Sequence, residues 1–143
     1  MTRAAELEAL ADFRGLVDEA CTAAGVDDDA CYDLKLAVDE ACTNIIQHGY
    51  AGMNPGSIIL QLQVRAAETP AGEAPAVHVR ITDFGHPFEP STAPEPDVDA
   101  PLEARELGGF GLFFIYQTMD EVDYVTDGAG NHLLLTKRVE VEE

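Results

Sequence analysis

Segments in which apolar residues alternate constrain the fold of this chain more than any other feature. From residue 57 to 65 every second side chain is apolar, which is the pattern of a half-buried strand. Residues 77–81 alternate again after a loop rich in Ala, Glu, Pro and Gly, and residues 121–126 and 131–139 alternate around the turn at 127–130. The sequence therefore predicts two β-hairpins, each with an apolar face to cover.

Segments with helical spacing supply that cover. Residues 4–24 carry an apolar stripe and stop before Gly25, a residue suited to the left-handed position after a helix. Residues 29–48 follow the run Asp27–Asp29, which provides an N-cap and negative charge in the first turn. A third helix is expected over 111–120. Hairpins and helices in this order predict an α+β fold, a two-layer α/β sandwich whose mostly antiparallel sheet has helices on one face.

Length and charge limit the function. A chain of 143 residues suits one domain, 1–143, with a core of its own. The net charge is −19 and the sequence contains no basic patch, so we expect no direct contact with nucleic acid and no membrane partner. Cys21, Cys31 and Cys42 form no CxxC pair and are expected to be free thiols. Without an apolar run of membrane-spanning length or a signal peptide, a cytoplasmic location is expected.

The segment from Gly85 to the third helix contains a long irregular loop and a glycine cluster. Residues 86–107 contain five of the eight prolines and six carboxylates, and they are interpreted as either a lid or a loose insertion. Gly108, Gly109 and Gly111 lead directly into the helix. A glycine loop before a helix N-terminus suits phosphate, although such clusters also form simple tight turns.

Two further pairs of residues are candidates for chemistry. Glu40 and Asn44 are four apart, so they share one face of the second helix. A carboxylate there can act as a general base and an amide oxygen can bind Mg²⁺, but a solvated helix face also explains the pair. Asp83 ends a strand two residues before Gly85. It can accept a hydrogen bond from an amino group, with Gly85 leaving room for a planar base, or the two can form an ordinary turn.

Together these motifs resemble a known superfamily. Residues 36–48 are similar to the N box of the GHKL ATPases, which include gyrase and the histidine kinases. Residues 83–88 resemble the G1 box and residues 108–111 the G2 box. Within the superfamily, residues 109–122 and 130–137 look like the corresponding segments of the bacterial anti-sigma-factor serine kinases. The resemblance covers nearly the whole chain, in the expected motif order.

The resemblance implies a Bergerat-type sandwich that binds ATP between the N-box helix and the lid. Glu40 would be the general base and Asn44 the Mg²⁺ ligand. Asp83 would bind the adenine amino group, and Gly85 would line the adenine pocket.

The remaining predicted contacts lie toward the phosphates. The glycines that would cradle the phosphates are Gly108, Gly109 and Gly111. Arg105, the only cation in the predicted lid, is our candidate for a further phosphate contact, although no motif assigns it. One departure is that His86-Pro87 stands where the wider superfamily has a second glycine in the G1 box, which bears on the flexibility of the lid and on turnover.

The function implied is phosphoryl transfer from ATP to a serine of an anti-anti-sigma partner of the STAS type, combined with sequestration of a sigma factor. A homodimer is expected from the family. Two alternatives remain open: a non-catalytic module that binds nucleotide only to set its affinity for a regulatory partner, and a folded interaction domain with a vestigial site.

Overall fold

The computed structural model describes residues 1–65, 67–68, 70–87 and 114–141. Their strands and helices are, in chain order, β1 (Thr2–Ala4), α1 (Ala9–Ala24), α2 (Asp28–Asn44), a π-helical turn (Ile45–Gly49), β2 (Ser57–Arg65), β3 (Ala76–Asp83), β4 (Glu121–Asp127) and β5 (Gly130–Arg138). Residues 114–118 are also helical.

Within these ranges, the strands form one antiparallel sheet in the order β1-β2-β3-β5-β4. The two predicted hairpins, β2–β3 and β4–β5, are confirmed, and β3 lies beside β5 at the centre of the sheet. Asp83 is paired with Asn131 across the β3–β5 boundary. This register places the last residue of β3 next to the first residues of β5.

The core lies between the sheet and the two long helices. Side chains from both layers are fully or almost fully buried in one apolar cluster, among them Phe13, Val17, Leu34, Val38, Ile58, Leu60, Ile81 and Leu135. The strand members of this set all lie on one face of the sheet, because successive strand residues point to opposite faces. The predicted α+β two-layer arrangement, with helices on one face, is therefore confirmed.

The predicted helix boundaries around Gly25 and Asp27 are confirmed. Gly25 adopts a left-handed conformation with φ 72°, and its N–H donates to the carbonyls of Cys21 and Thr22 near the end of α1. Asp27 is the N-cap of α2, and its side chain accepts a hydrogen bond from the Ala30 N–H at 3.0 Å. The aspartates at 28 and 29 then lie in the first turn, where negative charge is favoured by the helix dipole.

The prediction of a helix from residue 4 is wrong, because residues 2–4 form strand β1 at the edge of the sheet. β1 pairs with β2 in the register Thr2–Ile59 and Ala4–Ser57. The helix begins only at Ala9. Backbone pairing with an exposed sheet edge outweighs the helical propensity of these residues, and a strand of three residues carries no periodic signal.

The second helix also ends differently from its prediction. Its α-helical part stops at Asn44, and the next five residues form a single π-helical turn that ends at Gly49. The third predicted helix is confirmed for 114–118 but ends two residues before its predicted end at 120, and residues 111–113 lie outside the described part. The predicted lid also lies outside it, apart from its first two residues, His86 and Pro87.

The remaining bulk predictions concern thiols and membranes. Cys21, Cys31 and Cys42 are free and buried, as expected. Among the described residues, none of the helices has the length and apolarity needed to cross a bilayer.

Candidate functional site

The best-defined polar group of the candidate site is the carboxylate of Asp83, at the end of β3. Asp83 is only 5% exposed. Its Oδ1 atom accepts hydrogen bonds from the Gly85 N–H at 2.9 Å and from Asn131 Nδ2 at 3.1 Å. Its Oδ2 atom has no hydrogen-bond partner in the part of the chain that the structure describes. Within the described residues, one oxygen is therefore bonded to the protein and the other is left without a partner.

Gly85 packs directly against the end of the helical stretch formed by α2 and the π turn. A Cβ at Gly85 would stand 2.2 Å from the Gly49 carbonyl oxygen, so no other residue type fits there without a shift of the backbone. The same carbonyl accepts a hydrogen bond from the His86 N–H at 2.7 Å. The segment after β3 is thus anchored on Gly49.

Tyr50 forms a second anchor between the same two segments. Its side chain is buried, and its hydroxyl donates to the Ser57 carbonyl at 2.8 Å and accepts from the Phe84 N–H at 3.0 Å. Gly56 makes room for this ring, since a Cβ there would meet the Tyr50 hydroxyl at 2.8 Å. Burial raises the pKa of Tyr50, so the hydroxyl stays protonated and able to donate.

Asn44 lies where α2 changes into the π turn, a type of irregularity that is frequent at functional sites. Its Nδ2 atom is buried and has no hydrogen-bond partner among the residues that the structure describes. An unpaired buried polar group costs about 1–3 kcal/mol, so it needs an explanation. A ligand atom that accepts a hydrogen bond from Nδ2 would provide one, whereas a cation would bind the other end of the amide, Oδ1.

Glu40 lies one turn before Asn44 on the same helix and is partly buried. Desolvation raises the pKa of its carboxyl above the usual range, and the neighbouring charge of Asp39 raises it further. Asp39 is itself held by Arg14 of α1, whose Nη1 donates to both carboxylate oxygens at 3.1 and 2.9 Å. A carboxylate whose pKa is raised toward neutrality is a better general base.

These residues can contribute to a magnesium site but cannot form a complete one. Within the described ranges, no group of three or more His, Cys, Asp and Glu residues could hold a metal ion. Mg²⁺ typically binds one or two protein oxygens and takes its other ligands from phosphates and water. An amide oxygen at Asn44, with a carboxylate one turn away, fits that mode of binding.

The structure brings Asp83 and Gly85 to the end of the helical stretch that carries Glu40 and Asn44. A Cβ at Gly49 would lie 3.9 Å from Asp83 Oδ1. Burial raises the pKa of Cys42, a thiol of α2, and the negative charges of Asp39 and Asp83 raise that pKa further. Asp83 and Gly85 therefore lie against the C-terminal end of that helical stretch, and a single site formed together with Glu40 and Asn44 stays a prediction. The other candidates, Arg105, Gly108, Gly109 and Gly111, lie outside the described residues and remain predictions.

Sequence reasoning missed two residues of this region, Tyr50 and Asn131. Tyr50 follows the N-box helix but belongs to no periodic pattern that would indicate a role. Asn131 lies within the segment that resembles the anti-sigma kinases, yet the resemblance gave it no function. Their roles follow from hydrogen bonds that join residues 34 and 48 positions apart.

Comparison with known proteins identifies related chains. The family model of the histidine kinase-like ATPase domain matches residues 3–137. Serine-protein kinase RsbW of Listeria monocytogenes serovar 1/2a is 32% identical over 127 residues, which cover 84% of this chain and 75% of the relative. Serine/threonine-protein kinase BtrW of Bordetella bronchiseptica is 30% identical, covering 73% of this chain and 68% of the relative.

One further relative and one solved structure are also similar to this chain. Serine-protein kinase RsbW of Bacillus mycoides is 30% identical over 116 residues, covering 78% of this chain and 66% of the relative. The histidine kinase domain of a blue-light activated histidine kinase from Erythrobacter litoralis EL346 covers 77% of this chain and 45% of its own, with 17% identity and a TM-score of 0.43.

Proposed function

Because this chain belongs to the histidine kinase-like ATPase domain family, we propose that it is an ATP-dependent protein serine/threonine kinase. Its proposed substrate is a serine of an anti-anti-sigma protein of the STAS type. Its second proposed partner is a sigma factor, which it holds when the anti-anti-sigma protein is phosphorylated. Relatives named as serine-protein kinases match most of the chain and support this assignment.

The observation that carries the proposal is the position of Asp83. Its carboxylate is buried at the end of β3, with one oxygen bonded to the protein and the other without a partner among the described residues. Such an acceptor is suited to the exocyclic amino group of adenine, because a buried site built around a hydrogen-bond acceptor rejects ligands that lack the donor. We propose that Gly85 lies beside the base, on the side opposite its contact with Gly49.

Glu40 is the proposed general base. It would accept the proton of the incoming serine hydroxyl as the serine oxygen bonds to the γ-phosphorus and the bond to the β-phosphate oxygen breaks, releasing ADP. Asn44 would hold a Mg²⁺ ion through its amide oxygen. When bound, that ion supplies positive charge against the phosphate oxygens. Gly108, Gly109, Gly111 and Arg105 are proposed to contact the same phosphates.

The test is transfer of label from γ-labelled ATP to a purified STAS-type anti-anti-sigma protein encoded in the same genome. Wild type should phosphorylate one serine of that protein, and Glu40→Gln should lower the rate by about a hundredfold or more, since general bases contribute 10²- to 10⁴-fold. The matched control is Glu19→Gln, an exposed carboxylate of α1, which should leave the rate unchanged.

Each alternative has a distinct outcome in the same experiment. Binding of Mg·ATP without transfer of label would identify a non-catalytic module whose nucleotide sets partner affinity. Absence of binding at millimolar nucleotide would overturn the proposal entirely. The sigma-factor part is tested by mixing the chain with a sigma factor and ADP, then measuring complex formation before and after adding unphosphorylated STAS protein, which should displace the sigma factor.

A further inference from the structure

We infer that Asn131 sets the purine preference of the nucleotide site by orienting Asp83. Asn131 is the second residue of β5 and lies directly across from Asp83 in the sheet. This inference rests on the proposed function, because it concerns how the same site distinguishes adenine from other bases. It assigns Asn131 as a positioning residue, since its hydrogen bonds reach Asp83 and Gly85.

The side chain of Asn131 bridges the two residues that define the base side of the site. Asn131 is 2% exposed. Its Nδ2 atom donates one hydrogen bond to Asp83 Oδ1 at 3.1 Å and another to the Gly85 carbonyl at 2.9 Å. Both donor positions of the amide group are therefore used. The bridge fixes the Asp83 side chain relative to the backbone at Gly85.

The orientation of this amide group follows from the atoms around it. Asp83 Oδ1 and the Gly85 carbonyl are both acceptors, so only the NH₂ end of Asn131 can face them. The opposite end, Asn131 Oδ1, accepts a hydrogen bond from the Thr126 hydroxyl at 3.0 Å. A flipped amide would place one oxygen against two others, which leaves a single stable arrangement.

The backbone at Gly130 allows this approach. Gly130 has φ 120°, a conformation that L side chains rarely adopt. A Cβ there would stand 2.7 Å from the Asp83 carbonyl oxygen and 3.1 Å from the Phe84 ring. Gly130 therefore lets β5 come close enough to β3 for the next side chain to reach Asp83.

The two oxygens of Asp83 therefore have different roles. Oδ1 accepts from Gly85 and Asn131, so the carboxylate cannot rotate without breaking both bonds. Oδ2 is left as the acceptor for a ligand. Adenine offers an amino group at that edge, whereas guanine offers a carbonyl oxygen that a carboxylate repels. Without Asn131, the carboxylate can turn and the distinction weakens.

The experiment measures the equilibrium binding of three nucleotides to the wild-type protein and to one variant. Wild type and Asn131→Leu are each titrated with Mg·ATP, Mg·GTP and purine riboside triphosphate, which is ATP without the amino group. Wild type should bind ATP at least about tenfold more tightly than the analogue, as expected for a hydrogen bond to a charged acceptor. In Asn131→Leu that ratio should fall to about threefold or less, mainly through weaker ATP binding.

Two further variants separate orientation from stability. Thr126→Val removes only the hydroxyl that holds the Asn131 amide, and it should lower the ATP-to-analogue ratio in the same direction by a smaller factor. Leu135→Ala, a buried change further along β5, should lower stability and leave the ratio unchanged. Thr126→Val also keeps the inference testable if Asn131→Leu does not fold.

The outcomes distinguish failure of this inference from failure of the proposed function. A wild-type protein that binds neither ATP nor GTP overturns both. If wild type prefers ATP to the analogue but both network variants keep that preference in full, the role of Asn131 is overturned and the kinase proposal stands. Equal wild-type affinity for ATP and the analogue also overturns the inference, because Asp83 then does not recognise the amino group.

Discussion

The Cα of Gly85 faces the carbonyl of Gly49 so closely that a Cβ at Gly85 would lie 2.2 Å from the oxygen and 2.6 Å from the carbon. Gly49 ends the helical stretch that carries Glu40 and Asn44, and Gly85 follows Asp83. This backbone contact therefore helps to join the proposed catalytic helix to the proposed base-binding segment. Its dependence on glycine can be tested directly.

We expect Gly85→Ala to be destabilising and to weaken nucleotide binding. The added methyl group can be accommodated only by a shift of backbone, and overpacking of this kind costs about 1–3 kcal/mol. Urea unfolding should show a lower midpoint with an unchanged slope. The matched control is Gly128→Ala, because a Cβ there meets nothing within 4 Å. Equal stability of the two variants would show that Gly85 does not need to be glycine.

Tyr50→Phe should destabilise the protein through two lost hydrogen bonds. The hydroxyl serves the Ser57 carbonyl and the Phe84 N–H, and removing it leaves both backbone groups unpaired in a part-buried region. The expected loss is about 1–3 kcal/mol in the free energy of unfolding. Tyr32→Phe is the control, since Tyr32 is 60% exposed and should change stability by less than about 0.5 kcal/mol.

The pH dependence of phosphoryl transfer should follow the charge at Asp39. The charge of Asp39 adds to the desolvation that raises the pKa of Glu40, so Asp39→Asn should lower that pKa. Glu40 would then remain ionised to lower pH, and the acid limb of kcat/KM should move down in pH.

The control for this pH shift is an exposed carboxylate of α1 that pairs with a different arginine. Asp12→Asn alters an exposed aspartate of α1 that pairs with Arg3, and it should leave the profile unchanged. Arg14→Gln should move the acid limb upward, because it removes the positive charge that Asp39 now faces. An acid limb that stays in place in both Asp39→Asn and Arg14→Gln would argue against Glu40 as the base.

Asn44→Leu should separate stability from magnesium-dependent binding. The buried Nδ2 atom of Asn44 has no partner in the described part of the chain, so an apolar side chain of similar size should leave the free protein as stable or more stable. The same change removes the proposed Mg²⁺ ligand. Isothermal titration should therefore show that added Mg²⁺ strengthens ATP binding in wild type by a larger factor than in the variant.

The control for Asn44→Leu is a comparison in excess chelator. Without Mg²⁺, the variant and wild type should bind ATP with similar affinity, because Asn44 is proposed to act through the ion. A variant that loses ATP affinity equally with and without Mg²⁺ would instead indicate a direct contact between Asn44 and the nucleotide.

Much of the fold follows from local patterns. Alternation predicted β2 to β5 nearly to the residue, and Gly25 and Asp27 predicted the boundary between the long helices because caps act within one turn. β1 was not predictable in this way. Its three residues gain their structure from β2, more than fifty residues later, and no local pattern reports such a partner.

The same contrast between local pattern and long-range contact holds for the residues of the candidate site. Glu40, Asn44 and Asp83 were predicted because residue type, spacing and resemblance all indicated them. Tyr50 and Asn131 act through partners that only the folded chain brings near. The π turn after Asn44 was also missed, since the sequence there is compatible with an ordinary helix.

The π turn determines how many residues can connect Asn44 to Gly49 and Tyr50. A π turn is equivalent to an α-helix that has accepted one inserted residue. Deleting one residue between 45 and 49 would restore a regular helix and rotate Gly49 and Tyr50 by about 100° relative to Asn44. Their contacts with Gly85 and Phe84 would be lost, although every side chain of α2 was kept. The connection therefore tolerates no change in residue number unless both halves are rebuilt together.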